Sequence, residues 1–116
     1  MRMRDLMERS AKTKTQYNMF TMIKGRHETD AKKDLIEDLE DIFDWGEIYT
    51  QCMNKLGSIE DLHLFVTGAT PVLGSILNYC AINRINVTLY HYDKVLKQYI
   101  VQVLYNEYDL IKEGGY

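Results

Sequence analysis

The chain has 116 residues, 46% of them hydrophobic and 27% charged, which gives one globular domain with a sizeable core and excludes a two-lobed enzyme with a closing cleft. No apolar run is long enough to span a bilayer, and none follows the N-terminal arginines as a secretory leader requires, so a cytoplasmic protein without a membrane partner is expected. The net charge of −3 hides a split, because residues 1–26 carry +5 and residues 28–47 carry −7. Either these are two solvated surfaces, or the basic arm meets an anionic ligand. An acidic chain whose basic residues cluster only in a short arm is not a DNA reader.

In chain order, Arg4 to Ala11 has room for a helical turn or two before the polar break Lys12–Gln16. Tyr17 to Ile23 alternates as a strand covered on part of both faces, and Gly25-Arg26-His27-Glu28 ends it. Asp34 to Asp44 places Leu35, Ile36, Leu39, Ile42 and Phe43 at helical spacing and reads as an acidic helix whose carboxylates serve solubility. After Gly46, a second helix from Glu47 to Leu56 closes at Gly57-Ser58, with Trp45 expected to anchor it to the core.

The centre of the chain is Leu62 to Tyr105. Leu62 to Thr67 is a short apolar strand, and Thr70 is placed to cap a helix whose first residue is Pro71. Leu73, Ile76, Leu77, Cys80 and Ala81 then share one face of that helix. Asn86 to Tyr92 alternates as a second strand, parallel to the first by a right-handed crossover. Gln98 to Tyr105 returns antiparallel, and in a register that sets Tyr92 opposite Tyr99 the two rings make a cross-strand pair. The expected fold is therefore α/β in a single domain: a small mixed sheet of three to four strands built on one βαβ unit plus a C-terminal hairpin. Residues 1–60 supply the first strand and the helices, 61–105 the ligand-binding core, and 106–116 a tail that docks on the domain or on a neighbouring subunit.

Cys52 and Cys80 fall on apolar helix faces and read as buried thiols, without metal-site spacing. Glycine-rich dinucleotide loops, P-loops, nucleophile elbows and paired His/Cys metal ligands are all missing, so no cofactor and no metal are expected.

In an open α/β sheet, ligands bind outside the C-terminal ends of the parallel strands. That rule brings Thr67-Gly68-Ala69-Thr70 and His91-Tyr92-Asp93 to one rim. The turn into Pro71 suits an anion, since backbone N–H groups and the positive end of the helix dipole converge there; the same residues also make an ordinary helix start. Ser75 and Gly74 leave room beside the helix, and Tyr90 or Tyr92 is placed to stack on a base. His91 reads as a general acid or base, or as a binding or structural histidine. His63, in mid-strand, needs only an edge position or a hydrogen bond.

The run His63-Leu64-Phe65-Val66-Thr67-Gly68-Ala69-Thr70-Pro71, followed by Val87 to Asp93 and Tyr99, resembles the Rossmann-like core of the CARF and SAVED domains, which sense cyclic nucleotides in bacterial and archaeal defence. The likeness covers less than half of the chain. It implies that Thr67, Gly68, Thr70 and Pro71 form a ligand-facing loop, extended by His91, Tyr92 and Asp93; the rim itself adds Ala69, Ser75 and Tyr90. Arg26 or a tyrosine of the same or another subunit would close the site. Sensors of this kind carry an effector or pair two such halves, and this chain has room for neither. The resemblance therefore implies a homo-oligomer, a dimer or larger, that sequesters a small phosphorylated nucleotide messenger as phage messenger sponges do. Its alternatives are a ring nuclease using His91, Arg26 and Lys94, and a protein-binding module without a nucleotide ligand.

Overall fold

The computed structural model describes residues 18–25 and 29–104. In chain order the elements are β1 (Met19–Ile23), β2 (Lys33–Ile36), α1 (Trp45–Leu56), β3 (Asp61–Phe65), α2 (Thr70–Ile82), β4 (Asn86–Asp93) and β5 (Gln98–Leu104). The strands form one five-stranded sheet in the order β2-β1-β3-β4-β5. Neighbours run parallel except in the β4–β5 hairpin, where Tyr92 faces Tyr99. The α/β class, the central βαβ unit and the C-terminal hairpin are all present. The sheet is one strand larger than expected.

Both crossovers through a helix step across the sheet in the same direction, β2 to β3 and then β3 to β4. Right-handed connections then put α1 and α2 side by side on one face. They touch there through Tyr49 and Tyr79, whose rings meet edge to face at 4.8 Å. Strand alternation aims Phe20, Met22, Leu62, Leu64, Val87 and Leu89 at this layer, where Ile48, Cys52, Leu56, Val72, Ile76 and Cys80 complete one buried cluster. Each such aliphatic side chain contributes about 1.5–3 kcal/mol on burial. Both cysteines are free thiols inside this cluster, and burial pushes each up to about 12.

The acidic segment 34–44 is not a helix. Six of its eleven residues are Asp or Glu, and a helix would stack Asp34, Glu37, Asp38 and Asp41 at repulsive three- and four-residue spacings. Leu35 and Ile36 instead enter β2, where Ile36 pairs with Ile23 of β1. The acids that follow make turns and a cap: Asp41 Oδ1 accepts the Phe43 N–H, and Asp44 Oδ1 accepts the Glu47 N–H at the start of α1. Lys55 binds the Asp34 carbonyl at 2.7 Å and the Glu37 carboxylate at 2.6 Å, holding that carboxyl below its ordinary range.

Three further expectations are corrected. Trp45 does not anchor α1 in the core; it is 51% exposed and leans edge-on against Phe43. On α2 the buried face is Val72, Ile76, Tyr79 and Cys80, with Leu73 and Leu77 half-buried and Ala81 exposed. Contact with α1 as well as the sheet, through Tyr79, turns the helix from the face that spacing alone selects. Finally, Thr70 is the first helical residue and not its cap. The cap position is Ala69, in a left-handed conformation at φ 51° with no side-chain hydrogen bond. The segments 4–11 and 106–116, along with Arg26, His27 and Tyr105, lie outside the described residues.

Candidate functional site

The strand order reverses direction between β1 and β3, since β1 leads leftward to β2 while β3 and β4 lie to its right. At such a switch point the loops leaving the two strands diverge and open a crevice. A cavity of about 570 Å³ occupies this place, a size within the range of small-molecule sites. Thr29 lines it from beyond β1, Val66, Thr67 and Gly68 from beyond β3, and Tyr92, Lys94 and Tyr99 from the β4–β5 hairpin.

Each lining group has a distinct chemical offering. Thr67 is 4% exposed, and among the described residues its hydroxyl has no hydrogen-bond partner. A buried hydroxyl without a partner costs roughly 1–3 kcal/mol, so a polar group bound here would gain a hydrogen bond with it. Gly68, at φ 90°, adopts a conformation that favours glycine, and a side-chain carbon there would meet nothing within 4 Å. Hydrogen bonds from the Val72 and Leu73 N–H groups both end on the Ala69 carbonyl. Among the described residues, no hydrogen bond uses the N–H of Gly68, Ala69 or Thr70. The Gly68 N–H and the Lys94 ammonium at the cavity wall, with the positive end of α2 just beyond, favour an anion at this end of the cavity.

At the other end the site is aromatic. Tyr92 is 54% exposed and meets Tyr99 edge to face at 5.4 Å. Tyr99 in turn packs edge-on against Phe65, and Phe65 lies flat on Tyr90 with centroids 4.6 Å apart. The Tyr90 hydroxyl ends the series at His63 Nδ1, 2.9 Å away. Burial, opposed by the Asp61 carboxylate, holds the His63 imidazole below its ordinary value, so the ring is neutral and shares one hydrogen bond with the phenol. The Tyr99 hydroxyl is held up by burial and then by the Asp30 carboxylate, with the Asp30 backbone hydrogen bond acting the other way. Thr29 is fixed by the Thr21 hydroxyl and by accepting the Ala31 N–H.

Of the residues singled out in the sequence, Thr67, Gly68, Tyr92 and Lys94 meet at the cavity. Ala69, Thr70 and Pro71 carry the chain from its wall into α2 without lining it, and the Ser75 hydroxyl donates to the Pro71 carbonyl. Tyr90 is not available to a base, being 6% exposed beneath Phe65. His91 lies on the other face of β4 from Tyr92, with Nε2 bonded to Gln102 Oε1 at 2.8 Å. Asp93 Oδ1 accepts the N–H groups of Val95 and Leu96 and so builds the hairpin turn. Arg26 lies outside the described residues. Sequence reasoning missed Thr29 and Val66 and did not select Tyr99 for the rim. Recognising β2 as a strand would have made the loop after β1 a rim loop and brought Thr29 into view.

Among the described residues, no group of three or more His, Cys, Asp or Glu side chains converges to hold a metal ion, and no helix is long and apolar enough to cross a membrane. Compared with known proteins, the chain matches no family model, no curated protein and no solved structure.

Proposed function

We propose that this chain binds and sequesters a small phosphorylated nucleotide messenger, of the cyclic oligonucleotide or cyclic ADP-ribose type, in antiviral defence or counter-defence. The observation that carries this reading is the cavity at the β1/β3 switch point, with a donor-rich end and an aromatic end. The phosphate takes the Gly68 N–H and Lys94, the Thr67 hydroxyl binds a polar atom between, and the base stacks on Tyr92. Base stacking on an aromatic side chain supplies about 1–3 kcal/mol.

Sequestration is favoured over cleavage because, of the candidate catalytic groups among the described residues, Lys94 alone lines the cavity and His91 is turned away from it. A ring nuclease acting through a ribose hydroxyl needs an orienting or charge-stabilising group at the reacting atoms. His91 faces away from the cavity and is engaged with Gln102.

Native mass spectrometry of the protein with a panel of cyclic di-, tri- and tetranucleotides and cyclic ADP-ribose isomers tests the reading, followed by heat release and chromatography. Intact messenger recovered from the complex is the expected result. Linear product would replace sequestration by cleavage, and an unliganded protein across the panel would leave an interaction module in its place.

A further inference from the structure

We propose that β5 pairs with β5 of a second copy, joining two five-stranded sheets into one continuous sheet across a two-fold axis at Val101. The argument begins with the direction of the backbone groups. In β4 the Tyr90 carbonyl accepts the Val66 N–H, and the Asn86 N–H donates to the Glu60 carbonyl. Even-numbered residues of β4 are therefore turned toward β3, and Val87, Leu89 and His91 are turned toward β5. Their register partners Leu104, Gln102 and Ile100 face back across the hairpin. Antiparallel pairing leaves the alternate residues pointing the other way. The N–H and C=O groups of Tyr99, Val101 and Val103 consequently point out from the edge of the sheet. Among the described residues, no hydrogen bond reaches them.

The two edges of the sheet are unlike. β2 has four residues and carries Lys33 and Asp34, and where it ends the Gln51 side chain binds both the N–H and the C=O of Glu37. Short length, charge and a covering side chain are the usual means of blunting an edge. β5 has seven residues, Gln98 to Leu104, with no charge, proline or glycine. Its composition also selects the occupant. A two-fold axis sets a strand against its own copy, so any central charge would meet its like, and β5 carries none. Centring the axis on Val101 uses all three outward residues: Val101 meets Val101, and Tyr99 meets Val103 in both directions. It also brings Ile100, 42% exposed, against the partner's Gln102. This inference does not rest on the ligand reading.

Sedimentation velocity over a concentration series, with Val101→Pro beside the wild type, tests the pairing. Proline removes an N–H that the β4–β5 ladder does not use, so circular dichroism should stay native while association weakens roughly tenfold or more. The register is tested by mixing Ile100→Cys chains with Gln102→Cys chains under mild oxidation. These residues form a non-hydrogen-bonded pair across the axis, with α-carbons about 4.5 Å apart and within disulfide reach. The mixture should give a cross-linked heterodimer, and neither variant should cross-link alone; the native thiols, Cys52 and Cys80, are buried. A wild-type chain that stays monomeric at every concentration, or a mixture that does not cross-link, overturns the proposal. The cysteine experiment decides even if Val101→Pro fails to fold.

Discussion

The two faces of the sheet are made from the same strands and do different work. Toward the helices, Leu62, Leu64, Val87 and Leu89 interlock mainly with aliphatic side chains and sulfur, with the Tyr79 ring at the contact between the helices. On the opposite face Thr21, His63, Phe65, Thr88 and Tyr90 are buried as well, yet the series continues through Tyr99 to the exposed Tyr92 at the cavity mouth. One face is a packing surface, and the other is a packed base under a site. Burial alone does not separate them; the share of polar and aromatic atoms does.

Substitutions on either face should separate stability from binding. The largest effect is expected from Leu64→Ala, which empties a fully buried position facing the helices and should cost about 2–5 kcal/mol by chemical denaturation. Ligand affinity of the molecules that remain folded should be unchanged. Tyr92→Ala reverses the balance. Affinity should fall by about 1–3 kcal/mol in a calorimetric titration, while stability drops by no more than the roughly 0.5–1.5 kcal/mol of the Tyr92–Tyr99 pair.

Thr67→Val sharpens the comparison further. It removes an unpartnered buried hydroxyl while keeping the shape, so the melting temperature should hold or rise by an amount worth up to about 1 kcal/mol, and ligand affinity should fall. A loss of stability would mean that the hydroxyl has a partner in the fold, and the site would lose its strongest polar anchor. The smallest effect is a pH dependence at the foot of the aromatic series. Because the folded imidazole of His63 sits below the ordinary 6.5, the unfolded chain takes up its proton first. The stability from neutral His63 is complete above about pH 6.5 and declines as pH falls toward the folded value. Urea midpoints measured from neutral to mildly acidic pH should follow that trend, and His63→Gln should flatten it.

The central unit was legible because its local signals agree. Apolar runs of strand length, a proline at a helix start and alternation from Asn86 onward all point to the same βαβ unit, and so did the rim that yields Thr67, Gly68, Tyr92 and Lys94. Segment 34–44 was misread because Leu35, Ile36, Leu39, Ile42 and Phe43 fit the helical period while the decisive quantity, repulsion among the acids between them, is not part of a hydrophobic pattern. That one error also hid Thr29. The misassigned stacking residue has another origin: in β4 the ring of Tyr90 and that of Tyr92 lie on the same face two residues apart, and only the position of Phe65 decides which is covered.

The Gln51 clamp at the end of β2 has a consequence for the size of any assembly. A module with two open edges adds copies without limit and grows into a fibre. With one edge shortened, charged and tied to its own helix, backbone pairing has a valence of one. Among the described residues each chain then offers a single open edge, and under the proposed pairing a dimer has none left over.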